Sequence, residues 1–137
     1  MTGPDIVVKV SDLSDDELAF LETALDLART GGTEQLVTYL DAGLPVNLTS
    51  AKGDSLLMLA AYHAHPETVR ELLARGADTS RVNDRGQTAL GAAVFRRSEP
   101  IVEALLAAGA DPDLGSPSAV ELTRFFDLPE MARLLTA

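Results

Sequence analysis

The sequence predicts an all-α solenoid of stacked helix pairs, and three observations predict it. A phrase ending in glycine returns every 33 residues. Each copy holds two short apolar-periodic segments with helix start and stop signals. The core vocabulary is Leu, Ala and Val, with aromatic residues at 4% and no Trp in 137 residues. Such a core suits thin helices packed closely. Self-similarity at this period marks architectures in which each unit buries its apolar face only against its neighbours.

The register is long. Asp41-Ala42-Gly43, Ala74-Arg75-Gly76 and Ala107-Ala108-Gly109 are successive copies. Val69, Leu72 and Leu73 return as Val102, Leu105 and Leu106. Gly53-Asp54-Ser55-Leu56-Leu57 returns as Gly86-Gln87-Thr88-Ala89-Leu90. In each copy Ser55 or Thr88 starts a first helix, its hydroxyl accepting from an otherwise unpaired backbone N–H. A second helix opens near Pro66 or Pro100, where the missing N–H has no helical partner anyway. Val69, Leu72 and Leu73 have the spacing of one helical face. Gly76 ends that helix because it readily takes positive φ. The polar stretch 77–85, with Asn83-Asp84-Arg85-Gly86 at its tip, reads as a projecting hairpin.

These residues resemble the ankyrin repeat. Ser55-Leu56-Leu57-Met58-Leu59-Ala60-Ala61 stands where the family has Thr-Pro-Leu-His-Leu-Ala-Ala, and His65, Glu67, Val69, Leu72-Leu73 and Gly76-Ala77-Asp78 follow in register. Residues 86–113 match again through Thr88-Ala89-Leu90. The departures are Met58 and Gly91 at the usual His position, and Ala64 and Arg97 where a Gly is common. Upstream, Thr33-Glu34-Gln35-Leu36-Val37 and the residues to 43 match a second helix. Residues 14–29 supply a longer first helix, with Ser14 and Glu17 as a reciprocal capping box. Downstream, residues 118–137 match at an offset of 30, three residues having been lost before Ser118. The resemblance implies one domain over 14–137 with about four repeats, near 14–51, 52–84, 85–116 and 117–137. The terminal copies are atypical because their outer faces meet water. Residues 1–13 are read as an N-terminal arm, in which 5–10 form a strand or a segment that caps the stack.

Charge and composition exclude several functions. The net charge of −10 argues against a general nucleic-acid binder, since affinity for phosphate backbones comes mostly from Lys and Arg. The charge is uneven: residues 1–30 carry seven acids against Lys9 and Arg29, whereas residues 62–97 carry six arginines against four acids. No apolar run approaches the roughly 18 residues of a membrane span. The N-terminus lacks the pattern of a secretory signal. With no cysteine there is neither a disulfide framework nor a thiolate metal site. A cytoplasmic monomer is expected, and the Ala-, Leu- and Arg-rich usage resembles proteins of high-GC bacteria.

No catalytic or metal constellation stands out, and neither enzyme activity nor a cofactor is expected. His63 and His65 sit two apart, so on a helix they face different ways. The resemblance assigns His65 to bonding neighbouring backbone. Asp15-Asp16-Glu17 is a helix first turn, favoured there by the macrodipole. Gly31-Gly32 reads as a helix–helix turn.

The resemblance implies a concave face, made by inner helices and hairpins, that binds a partner protein. Carrying the register to the end of each first helix gives the column Arg29, Tyr62, Phe95 and Phe125, beside the column Thr30, His63, Arg96 and Phe126. Three of six aromatic residues therefore fall in one column. Tyr62 and Phe95 are expected to form an exposed aromatic ridge. Whether Phe125 and Phe126 are core or surface is open, with one ring expected to cover the end of the core. The hairpin tips add Lys52, Asp54, Asp84, Arg85 and Gln87 as a polar rim. The candidate partner-binding set is Arg29, Lys52, Asp54, Tyr62, His63, Arg85, Gln87, Phe95, Arg96 and Phe125. It suits an adaptor, inhibitor or stabiliser whose partner is apolar at its centre and acidic opposite Arg29, Arg96 and Arg97. The rivals are a self-associating structural protein and a His-based metal or catalytic site.

Overall fold

The computed structural model describes residues 13–136. The arm expected over 1–13, including the candidate strand at 5–10, lies outside the described residues apart from Leu13. Among the described residues eight α-helices follow one another: α1 (Asp15–Thr30), α2 (Thr33–Asp41), α3 (Leu56–Tyr62), α4 (Pro66–Ala74), α5 (Ala89–Phe95), α6 (Glu99–Ala107), α7 (Ala119–Phe125) and α8 (Pro129–Thr136). Helices α1, α3, α5 and α7 stack side by side as an inner layer, and α2, α4, α6 and α8 as an outer one. The isolated bridges Thr49–Ser55 and Gly115–Ser118 sit at the bases of hairpin loops.

Capping explains where the inner helices begin. Ser14 Oγ accepts from the Glu17 amide at 3.1 Å while Glu17 Oε1 accepts from the Ser14 amide at 3.0 Å. The hydrogen bonds hold the Glu17 carboxyl below its ordinary pKa. Ser55 and Thr88 cap α3 and α5 through the Met58 and Gly91 amides, at 3.1 and 3.0 Å. Ser118 and Glu121 form a second capping box at the start of α7. After α4, Gly76 takes φ +85° and the Ala77 amide bonds back to the Leu72 carbonyl at 3.1 Å. The substitutions at the turns inside the helix pairs are strained: Ala64, Arg97 and Asp127 hold φ of 60°, 56° and 50°. An L-residue with a Cβ is disfavoured there by about 1–2 kcal/mol.

The core lies between the two layers. Leu56, Leu57, Val69, Leu72, Leu90, Ile101, Val102 and Leu105 are fully buried, with Ala24, Ala28, Ala60, Ala61, Ala93 and Ala119 filling the close approaches between inner helices. Small side chains let these helices pack densely, and the apolar area removed from water supplies the main stabilisation, at about 25 cal/mol per Å². The outer layer is tied by polar links. Thr33 and Thr68 hydroxyls meet at 2.6 Å, and Arg75 joins Asp41 at 2.9 Å and Glu71 at 2.7 Å. Hydrogen bonding to Arg75 lowers the Asp41 pKa.

Both terminal phenylalanines are surface residues, which corrects the expectation that one covers the core. Phe125 is 69% exposed and Phe126 48%. Leu128, Met131 and Leu135 are buried at that end instead. They occupy α8 and the turn before it, whereas the two rings stand at the last residue and the C-cap of α7.

Candidate protein-binding groove

The ends of α3 and α5 and the hairpin tips between them enclose a groove of about 460 Å³. Arg29, Asp54, Tyr62, His63, Arg85, Gln87 and Phe95 line it. Lys52, Arg96 and Phe125 lie outside this lining. Sequence reasoning missed the rest of the wall: Met58, Leu59, Asn83, Thr88, Gly91, Ala92, Pro117 and Leu122. Gly91 stands where the family usually has His. A Cβ there would meet Thr88 Oγ1 at 3.3 Å and a Leu122 methyl at 3.4 Å, so bare backbone forms this part of the floor.

The aromatic ridge forms at the last residues of α3 and α5. Tyr62 and Phe95 are each 44% exposed, and their rings are parallel within 5° at a centroid distance of 6.1 Å. The third ring in contact is Phe126, not Phe125: Phe126 meets Phe95 edge-on at 5.7 Å. Arg96 shows why. Its guanidinium lies 6.0 Å from the Tyr62 ring centroid, and Nη1 donates to the Tyr62 carbonyl at 2.8 Å. Arg96 and Phe126 occupy the same repeat position, one past the helix end. From there each side chain leans back over the terminal aromatic of the preceding repeat. Phe125, one residue earlier, instead projects into solvent.

The hairpin rim is organised by Asn83. Its Oδ1 accepts from the Arg85 and Gln87 amides at 3.0 and 2.9 Å. Its Nδ2 donates to Asp54 Oδ1 at 2.7 Å and Gln87 Oε1 at 2.8 Å. The Asp84 amide donates to the Lys52 carbonyl at 3.0 Å, and the Ser116 amide to the Gly86 carbonyl at 2.8 Å. The tips are thus stitched into one rim. An Asn three residues before the tip glycine was the visible signal, since Asn side chains commonly bond backbone two residues on.

Electrostatically the groove differs from the chain around it. Arg29 pairs with Asp26 at 2.5 Å. The His63 pKa is lowered, first by burial and then by the positive charges of His65, Arg96 and Arg29. His65 is turned away into structure: its Nε2 donates to the Arg29 carbonyl at 2.8 Å, the role that the resemblance implied. Among the described residues no three His, Asp or Glu side chains converge as a metal site. Among them, too, no helix is long and apolar enough to cross a membrane.

Comparison with known proteins places this geometry in a family. The model of ankyrin repeats (3 copies) matches residues 22–116. An ankyrin repeat protein of Pseudomonas aeruginosa is 55% identical over 51 residues, covering 37% of this chain and 30% of its own length. Mitochondrial disaggregase of Bos taurus is 41% identical over 90 residues, covering 65% of this chain and 13% of its own. An ankyrin repeat-containing protein of Treponema pallidum is 33% identical over 96 residues, covering 69% and 31%. The chain therefore spans less than a third of the length of each of these relatives. With most of its length matched, the chain belongs to the ankyrin-repeat family, whose repeats generally serve as protein–protein interaction modules.

Proposed function

We propose that this chain binds one protein partner through the groove, as an adaptor, inhibitor or stabiliser, without catalysis and without a cofactor. One observation carries the reading: in a chain with six aromatic residues, Tyr62 and Phe95 are stacked in parallel and left half exposed in the lining of the groove. Neither ring is needed to fill the core, which is closed by Leu, Ile, Val and Ala. Exposed aromatic and Arg side chains are the residues most often found at binding hot spots, each worth roughly 2 kcal/mol or more. The stitched hairpins supply a polar rim that excludes water from such a centre. Interface residues are Arg29, Asp54, Tyr62, His63, Arg85, Gln87 and Phe95, with Lys52, Arg96 and Phe125 at the margin. A net charge of −10 supports a partner other than nucleic acid. The protein acts as a cytoplasmic monomer in this reading.

The test is affinity capture from source-cell extract with wild type and with Tyr62→Ala/Phe95→Ala, after both are shown to fold. Recovery of one protein by wild type alone supports the groove. Equal recovery by both baits sinks it. Phe125, the most exposed ring, favours a second reading in which the chain self-associates. Mass rising with concentration in light scattering, and lost in Phe125→Ser, would support that reading over a monomeric binder.

A further inference from the structure

The charge around the groove restricts what can dock there. Of the charged side chains lining it, Arg29 and Arg85 are positive and Asp54 is negative. Asp54 already accepts from Asn83 Nδ2. Arg96 adds a guanidinium beside Tyr62. Asp84 and Lys52 flank the tips with opposite signs. Arg29 is paired with Asp26, but among the described residues neither Arg85 nor Arg96 has a carboxylate within ion-pair distance. So two unneutralised arginines flank an aromatic pair in a protein whose net charge is −10. The depressed His63 pKa has the same origin in part, since every charge acting on it is positive.

We infer that the groove takes an acidic segment of a partner protein, with an apolar side chain against Tyr62 and Phe95 and carboxylates meeting Arg85 and Arg96. This rests on the groove being the binding face. A basic segment would bring like charges together at the rim, which suppresses a wrong partner. An acidic one gains charge-assisted hydrogen bonds from two guanidinium forks, stronger than neutral ones and well matched to carboxylates. The exposed sides of the stacked pair take the apolar side chain, since rings parallel at a centroid distance of 6.1 Å leave no room between them.

The test selects a displayed random-peptide library on the full chain at low salt, then measures a synthetic enriched peptide against purified variants. Enriched peptides are expected to carry Asp or Glu beside an apolar residue. Arg85→Ala/Arg96→Ala should bind at least about tenfold more weakly, and raised salt should weaken wild-type binding. Arg85→Lys/Arg96→Lys keeps the charge but loses the fork, and should bind more weakly than wild type and more tightly than the Ala variant. Arg70→Ala, on the outer helix, should not change it. Thermal unfolding of each variant separates lost binding from lost folding. Neutral or basic peptides that Tyr62→Ala/Phe95→Ala fails to bind would overturn the acidic assignment and leave the groove as the site. Peptides that the aromatic variant still binds would overturn both. Failure to enrich any acidic peptide overturns this inference alone, because extract capture judges the groove independently.

Discussion

His65 Nε2 lies 2.8 Å from the Arg29 carbonyl, and the same ring lies over Gly31 so closely that a Cβ there would be 2.6 Å from Nδ1. One imidazole thus ties the second helix pair to the turn of the first. Gly31 also holds φ +79°, so the turn needs glycine twice over, for its backbone and for the ring above it.

Gly31→Ala should therefore destabilise by about 2–3 kcal/mol, combining left-handed strain with loss or displacement of the His65 bond. His65→Ala should cost about 1 kcal/mol. In the double variant the losses should fall short of their sum, because both act on one contact. Urea denaturation of the four proteins checks this. Strict additivity would show that the two residues are independent.

The strained turns predict gains. Ala64→Gly and Arg97→Gly should each stabilise by about 0.5–1 kcal/mol, the relief of positive φ being partly offset by greater freedom of the unfolded chain. Asp127→Gly should gain less, since Asp tolerates this region better than Ala or Arg. Melting temperatures of the three variants test the order.

Asn83→Asp is nearly isosteric yet replaces the donor that faces Asp54 Oδ1 at 2.7 Å with an oxygen. It should destabilise by about 2 kcal/mol, through a lost donor and carboxylate repulsion. Asn83→Ala also removes Oδ1, and in that variant amide exchange should quicken at Arg85 and Gln87, whose N–H groups bond this oxygen. Unchanged exchange there would mean that Asn83 does not organise the rim.

Because His63 has a pKa below its ordinary 6.5, the unfolded chain binds more protons than the folded one just below that pH. The stability contributed by neutral His63 is present above 6.5 and is lost as the pH falls through 6.5 toward the folded value. His63→Gln should remove this part of the pH dependence. Denaturation midpoints of both proteins between about pH 8 and pH 5.5 give the difference. Parallel curves would contradict the assignment.

Much of the fold was legible because helix ends are written in local chemistry. Ser14 with Glu17, Ser55, Thr88 and Gly76 each carry a signal that acts within four residues, and each does in the structure what that signal implies. The 33-residue period carried those signals from copy to copy. The Ser118–Glu121 capping box was equally plain in the spelling and was overlooked. The aromatic column was legible as a register of backbone positions. The partner of Phe95 was not, because the direction of a side chain leaving a helix end depends on the neighbouring repeat. Only after Arg96 is seen leaning over Tyr62 does Phe126 follow as its counterpart. The Asn83 network likewise joins side chains from two hairpins, and no period in one chain spells out such a pairing.

The most direct test of the groove is where a bound partner touches. A photo-crosslinking side chain at Gln87, on the groove rim, is compared with one at Glu22 on α1 and one at Glu103 on the outer helix α6. Each protein is irradiated in source-cell extract and the adducts identified by mass spectrometry. A partner adduct from position 87, with none from 22 or 103, is the predicted result. An adduct of that protein from 22 or 103 and none from 87 would contradict it.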